Sequence, residues 1–121
     1  MILDTTLKLE AVLAGAVTAN QPEVHFDYID YTQDGKPTAP QTFRVALNST
    51  NDVTILASPT GISQRREPTY GTVYNKDTAA ITVTIKTDDG TTERIIAKKT
   101  IEVGGTWQYT KLNGWFREAV V

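Results

Sequence analysis

Apolar and polar residues alternate with a period of two along several stretches of the chain. The alternation is clearest at 24–29, 43–47 and 81–86, where every second residue is Val, Ile, Leu, Phe or Tyr. An extended strand points successive side chains to opposite faces, so this pattern predicts half-buried strands with one face toward a core. The many β-branched Thr, Val and Ile residues agree, because such side chains fit a pleated sheet better than a helix.

Turn-forming residues separate the predicted strands. Asn-Lys-Asp lies at 75–77, Asp-Asp-Gly at 88–90, Gly-Gly at 104–105 and Asn-Gly at 113–114. Asp and Asn hydrogen-bond to nearby backbone, and Gly tolerates a positive φ, so these sequences favour tight turns. About eight short strands at regular spacing predict an all-β fold. We expect a single-domain antiparallel β-sandwich that is jelly-roll-like.

The remaining segments complete the predicted domain. The stretch 5–17 suits a strand or a short helix, and we favour a strand or an extended arm within 1–14. Residues 31–41 and 58–68 contain Gly and Pro and are predicted to be loops. No repeat, linker or low-complexity tract divides the chain, so residues 1–121 are expected to form one domain.

Composition and charge narrow the classes of function. The chain has no cysteine, which rules out disulfide and thiolate–metal frameworks. Its net charge of −2 gives no basic surface for nucleic acid. No apolar run approaches the ~20 residues of a membrane helix. The first residues carry an early acid and no basic region, so we expect no secretory signal. We therefore expect synthesis in the cytoplasm.

The residues that could carry chemistry do not form a recognisable constellation. His25 is the only histidine, and Asp27 follows it on the same strand face. Without cysteine or a second histidine, a zinc site would depend on carboxylates, which is uncommon. The acids Asp27, Asp30 and Asp34 lack the spacing of a calcium loop. No phosphate-binding, dinucleotide-binding, nucleophile-elbow or zinc-protease motif occurs. We therefore predict no catalytic residue, metal or cofactor.

Aromatic residues concentrate near the C-terminus, at Trp107, Tyr109, Trp115 and Phe116. Exposed aromatic side chains on a β-sandwich can stack on sugars, whereas buried ones fill a small core or an oligomer interface. Trp107 and Tyr109 share one strand face, so we favour a core or interface role for the group.

The C-terminal half has VYNKDTAAITVTIK at 73–86, followed by DDG at 88–90 and GW at 114–115. This order of strands and turns resembles a group of small bacteriophage virion proteins that have a "YNxDTxxxTVTV…DG…GW" pattern. Segments in the N-terminal half, LEAVLAGAVT at 9–18 and DVTI at 52–55, are similar to the same group. The resemblance covers most of the chain except 31–41.

The resemblance implies a non-enzymatic structural protein of the virion. Capsid decoration or cement is the expected role, with head-fibre, neck or tail accessory as variants. The expected partners are the major capsid protein or a neck or tail protein, together with a homodimer or homotrimer. No nucleic-acid, membrane or small-molecule partner is expected. The protein would be made in the bacterial host cytoplasm and located in the virion.

Docking would need a surface, and two sequence features are candidates for it. One is the apolar N-terminal segment, and the other is an arginine pair that could bind a carboxylate on a neighbour or form a structural ion pair. The candidate interface residues are Leu7, Leu9, Val12, Leu13, Arg65 and Arg66. Two alternatives stay open: a carbohydrate- or receptor-binding module of a tail fibre, and a small hydrolase that uses scattered carboxylates.

Overall fold

A computed structural model describes residues 1–120, with side chains described as far as Trp115, and these residues form ten strands and no helix. The strands are β1 (Leu3–Asp4), β2 (Lys8–Leu13), β3 (Glu23–Thr32), β4 (Gln41–Ala46), β5 (Val53–Leu56), β6 (Ser63–Tyr74), β7 (Ile81–Asp88), β8 (Glu93–Ile101), β9 (Gly105–Thr110) and β10 (Gly114–Val120). Within this range no helix exists that could cross a bilayer. The all-β prediction is confirmed, with more strands than expected.

The strands form two antiparallel sheets that pack face to face. The large sheet has six strands in the order β10-β9-β6-β3-β4, with β1 also paired to β6. The small sheet has four strands in the order β5-β2-β7-β8. The predicted single-domain β-sandwich is therefore confirmed. Strands β2 to β9 have the same neighbours within each sheet as the eight strands of a jelly roll. The difference is that the chain begins and ends at another of the connections between strands, as in a circular permutation.

The period-two pattern of the sequence determines which faces meet. In β3 the side chains of Val24, Phe26 and Tyr28 are buried, while the residues between them are only partly buried. The same alternation in β7 and β9 directs Val83 and Trp107 into the space between the sheets. Each apolar side chain buried in this way contributes about 1.5–3 kcal/mol relative to exposure.

An aromatic cluster fills the core beneath the large sheet. Phe26 lies 6.1 Å from Tyr109 and 5.8 Å from Trp115 between ring centroids, and Trp107 lies 4.7 Å from Trp115. Gly71 is the cross-strand partner of both Phe26 and Tyr109. A Cβ atom at Gly71 would lie 2.4 Å from the Phe26 ring, so only glycine leaves room for that ring. Trp107 and Tyr109 are 2% and 3% exposed, which confirms the predicted core role for these two residues.

The predicted turn at 75–77 contains a fully buried asparagine. The Asn75 amide donates to the carbonyl oxygens of Ala79 at 2.9 Å and Ile101 at 3.0 Å. Its side-chain oxygen accepts a hydrogen bond from the Asp77 backbone N–H at 2.9 Å. Without Asn75, these two carbonyls and the Asp77 N–H would lose their bonds to water on burial and gain no replacement. Asn75 thus supplies the hydrogen-bond partners for the backbone near the ends of β6 and β8.

Asp77 connects this turn to a distant loop. Its carboxylate accepts hydrogen bonds from the backbone N–H groups of Thr18, Ala19 and Asn20, and of Thr78, at 2.8–3.1 Å. These bonds lower the pKa of Asp77 to about 2, with the Thr18 N–H as the largest contributor. The Asn-x-Asp of the sequence pattern is thus a structural clamp that holds the β2–β3 connection against the end of β6.

The two predicted loops are shorter than expected. β3 continues to Thr32, so the 31–41 loop is reduced to 33–40, and β6 begins at Ser63, so 58–68 contains strand in its second half. Pro68 lies within β6 next to a shift in the β3–β6 register. A bulge tolerates a residue that has no N–H to donate, and this is why a proline occurs inside the strand.

Residues 1–14 are strands of the sandwich and not a free arm. β1 pairs with β6, and β2 lies between β5 and β7 in the small sheet. Leu9 is fully buried and Leu13 is 4% exposed, because both point toward the large sheet. The prediction that these two leucines form an intermolecular surface is therefore wrong: their apolar face is covered within the chain.

Candidate interaction surface

The two outer faces of the sandwich have different chemistry. On the large sheet the outward positions of β3, β4 and β6 carry aromatic, arginine and histidine side chains, and we call this surface the tyrosine face. Its members are His25, Tyr31, Arg44, Arg65, Tyr70 and Tyr74. Every outward-facing aromatic residue among the described side chains lies here, since the other aromatic rings belong to the core or, for Phe43, to the core-facing side of an edge strand.

The register of the large sheet places these residues in rows across the strands. Tyr70 lies opposite Asp27 and Tyr74 opposite Glu23, while Thr72 lies between them opposite His25. Tyr70 and Tyr74 are 38% and 39% exposed. The two tyrosines are four residue steps apart along β6, about 13 Å at ~3.3 Å per residue. The result is a sheet surface with two aromatic rings and hydrogen-bonding groups between them.

One end of the tyrosine face is ordered by side-chain contacts. The Arg65 guanidinium lies 5.5 Å from the centroid of the Tyr31 ring, in cation–π geometry. The Tyr31 hydroxyl donates to Glu67 at 3.3 Å, and Lys111 forms an ion pair with Glu67 at 3.1 Å. These contacts restrict the rotamers of Tyr31 and Arg65, which lowers the entropy that a docking surface loses when a partner binds.

The histidine and aspartate noted in the sequence do contact each other on this face. His25 Nε2 lies 3.0 Å from Asp27 Oδ1, and the same oxygen accepts a hydrogen bond from the Thr42 hydroxyl at 2.9 Å. His25 and Asp27 retain 31% and 41% exposure of their side chains. A general base needs a nucleophile and a shielded substrate position as well. This pair lies instead on an open sheet surface, where it can donate and accept hydrogen bonds to a docked molecule.

The outer face of the small sheet carries a network of charges. Lys86 forms ion pairs with Asp52, at 2.8 Å, and with Glu93, and hydrogen bonds to both raise its pKa. Glu10, the cross-strand neighbour of Lys86, pairs with Lys8 at 3.2 Å. Burial raises the pKa of Glu10, against a smaller opposing effect of Lys8. Lysine and acid side chains of this kind are depleted at interface cores, so this face is suited to solvent.

Three carboxylates in that network come close enough to suggest a cation site. Oxygens of Glu10, Asp52 and Glu93 lie within 4.8 Å of one another, and one Glu10 oxygen is buried without a hydrogen-bond partner. The Lys86 ammonium already lies against two of the three acids. Lys8 pairs with the third acid, Glu10, so each carboxylate has a lysine partner and the cluster has the composition of a structural ion-pair network.

The candidate interface residues from the sequence fall into different environments. Arg65 is exposed on the tyrosine face, and Leu7 and Val12 are partly buried. Arg66 points inward and binds Asp30 through two hydrogen bonds of 2.7 and 3.0 Å, with its side chain 13% exposed. The interface prediction is therefore wrong for Arg66. The structure shows the alternative that the sequence offered, a structural ion pair, here with Asp30. For Arg65, Leu7 and Val12 the interface role stays a prediction.

The residues that sequence reasoning missed are Tyr70 and Tyr74. Both side chains point to the outer face of β6, whereas Val73 points to the core. The alternation of the sequence predicts this orientation once residues 69–74 are taken as a strand. The glycine and prolines of 58–68 predict a loop where this strand starts, so the sequence alone assigns the tyrosines that follow to no sheet face. Ile62 and Leu112 were also missed, and at 78% and 90% exposure they are apolar side chains at the tips of connections.

Comparison of the chain with models of known protein families, with curated proteins and with solved structures finds no match.

Proposed function

We propose that this protein is a non-enzymatic binding module whose tyrosine face docks on another protein. One observation carries the proposal: among the described side chains, the outward aromatic residues all lie on the large sheet, while the outer face of the small sheet presents mainly lysines, acids and threonines, with Val12 and Ile95 as its apolar members. Tyrosine gives a large contact area with only two rotatable side-chain bonds, and both tyrosine and arginine are enriched at interfaces, whereas lysine and glutamate are depleted. The residue types of the large-sheet face therefore favour docking, and those of the small-sheet face favour contact with solvent.

The partner class we propose is a protein of a bacteriophage particle. The support is the resemblance of the strand and turn pattern to small virion proteins, which would make this chain a capsid decoration or cement protein, or a neck or tail accessory. The fold is compatible with this role, because Asn75 and Asp77 join its connections through hydrogen bonds and the chain has no cysteine. Repeated copies on a symmetric shell would make weak individual contacts effective.

Carbohydrate binding is the second candidate, and the exposure of Tyr70 and Tyr74 on one strand face favours it. Rings about 13 Å apart could stack on separate sugar units of an extended glycan. In this alternative the site would still be the tyrosine face, since Trp107 and Tyr109 are buried and cannot stack on a ligand. A receptor-binding module of a tail fibre would be the corresponding biological role.

Co-sedimentation of the purified protein with particles of the phage that encodes it tests the proposal. We expect the wild-type chain to sediment with particles, and Tyr70→Ala with Tyr74→Ala to weaken binding by at least about tenfold, since two interface anchors at more than ~1 kcal/mol each are lost. The matched control is Thr84→Ala with Lys98→Ala on the small sheet, which should bind like wild type.

Three results would count against the proposal in different ways. Equal binding by the tyrosine and control variants would refute the tyrosine face as the docking surface. Failure of the wild-type chain to sediment, and its absence from purified particles, would refute the virion role. Binding of a glycan array by wild type but not by Tyr70→Ala would favour the carbohydrate alternative.

A further inference from the structure

Sheet edges are the places where a second chain can add a strand, and most edges here are obstructed. β8 has a register shift near its centre and carries Lys98 and Lys99, and β5 has only four residues. β10 contains a register shift between Trp115 and Arg117. Bulges, lysines and short strands all hinder edge-to-edge pairing.

β4 is the exception among the strands that the structure describes. It pairs with β3 over six consecutive residues without a register shift and contains no lysine and no proline. No backbone hydrogen bond outside that pairing involves its residues. Five of its six residues are exposed, and Phe43, which points toward the core side, keeps 36% exposure. The edge therefore presents unpaired backbone groups and an incompletely covered aromatic ring.

Among the registers centred on the middle of β4, at residue 42, 43 or 44, one suits a second copy of the same strand. Residues directly opposite each other in an antiparallel pair point to the same face of the sheet. A two-fold axis between two copies of β4 must therefore pair one residue with its own copy, and never with the copy of its sequence neighbour. An axis at Arg44 would place two arginines opposite each other, and an axis at Thr42 would bring Pro40 into the ladder. An axis at Phe43 places the two Phe43 rings together and Gln41 opposite Val45.

The same register brings opposite charges together on the outer face. Arg44 would lie opposite Thr42 of the second copy, and Thr42 already donates to Asp27 at 2.9 Å. Asp27 is on the next strand, about 10 Å away at two strand spacings, which extended arginine and aspartate side chains bridge together. Arg44 forms no ion pair among the side chains of residues 1–115, so it is available for this contact, which would occur twice by symmetry.

We propose that two copies of this chain associate through antiparallel pairing of β4 with β4, centred on Phe43 and joined by two Arg44–Asp27 ion pairs. The two large sheets then become one continuous sheet, and the two tyrosine faces lie side by side on one surface. The inference goes beyond the proposed docking function and does not depend on it, because self-association is measured without any other partner.

Single-cysteine cross-linking tests both the edge and the register, because the chain has no cysteine of its own. Opposed Cα atoms in an antiparallel pair are about 4.5–5.5 Å apart, within the range of a disulfide. In a glutathione redox buffer, Phe43→Cys should form a disulfide dimer at least about tenfold faster than Ile95→Cys. Ile95 is the matched control, since it is on edge strand β8 and is 65% exposed. Thr42→Cys should also cross-link poorly, because two copies of residue 42 are offset in this register.

Sedimentation equilibrium of the unmodified chain provides the second measurement. We expect a dimer that Phe43→Lys weakens by at least about tenfold. Arg44→Asp and Asp27→Arg should each weaken it, and the two substitutions together should restore it, since the ion pair is re-formed with reversed polarity. A monomer at all soluble concentrations, or equal cross-linking at residues 43 and 95, would overturn the proposal. Preferred cross-linking at residue 42 would overturn the register. Circular dichroism melting of each variant identifies any that fails to fold.

Discussion

Replacement of Gly71 by alanine tests the packing of the core directly. Gly71 lies in β6 between Phe26 on β3 and Tyr109 on β9, and its φ is not in the positive range. Alanine therefore introduces no backbone strain there, and the perturbation is the added methyl group alone. That methyl would lie 2.4, 2.6 and 2.8 Å from three carbons of the Phe26 ring.

The magnitude follows from how little the ring can move. Phe26 is fully buried, and Tyr109 and Trp115 flank it at 6.1 and 5.8 Å between centroids. Forcing extra volume into such a core costs about 1–3 kcal/mol. Alanine recovers about 0.4–1 kcal/mol by restricting the unfolded chain. We expect Gly71→Ala to lower the free energy of unfolding by about 1–2 kcal/mol and the melting temperature by about 4–8 °C.

Urea denaturation followed by near-ultraviolet circular dichroism measures this difference. Gly15→Ala is the matched control, since nothing lies within 4 Å of its added methyl and its φ is also outside the positive range. The control should be as stable as wild type or slightly more stable. In a Phe26→Leu background the destabilisation by Gly71→Ala should shrink, because the smaller side chain relieves the clash. Equal stability of Gly71→Ala and Gly15→Ala would refute the description of the aromatic core.

Three further predictions concern ionisation and burial. Asp77 has a folded-state pKa of about 2 against its usual 3.8, so its contribution to stability is complete above pH ~4 and is lost as pH falls toward 2. Acid titration of the unfolding free energy should show a larger loss for wild type than for Asp77→Asn, which keeps the lowered pKa values of Asp4, Glu23 and Asp89. Arg66→Met should destabilise the fold by about 3–5 kcal/mol in chemical denaturation because it leaves Asp30 buried and unpaired. Lys111→Met should cost only about 0–1 kcal/mol, because Lys111 is exposed and Glu67 keeps its hydrogen bond from Tyr31. Tryptophan emission of the native protein should be blue-shifted and resistant to iodide, and a red-shifted, quenchable spectrum would contradict the burial of Trp107.

The sequence carries enough information for the strands but not for all of their ends. Alternation at 24–29 and 81–86 identifies strands because one face of each is buried, which requires period two. Glycine and proline predict a loop where β6 starts, because proline is normally excluded from a ladder. The register shift that admits Pro68 depends on the pairing with β3. Bulges are properties of strand pairs, so a single strand's sequence does not reveal them.

The candidate surface was less predictable than the fold, for a related reason. Periodicity separates the two faces of a strand but does not say which sheet a strand joins. The outward phase of Tyr70 and Tyr74 becomes a surface only when β3 and β4 lie beside β6. The turn at 75–77 was correctly read, yet the role of Asp77 depends on backbone groups near residue 18, which only the tertiary fold brings close.

The central claim is that the tyrosine face is the docking surface and that the outer face of the small sheet remains in solvent. The most direct measurement is electron cryomicroscopy of phage particles carrying the bound protein, at a resolution that distinguishes the two sheets. We predict that Tyr70 and Tyr74 are buried against the particle while Glu93 and Lys98 face solvent. Density in which the small sheet contacts the particle and the tyrosines point outward would contradict the account.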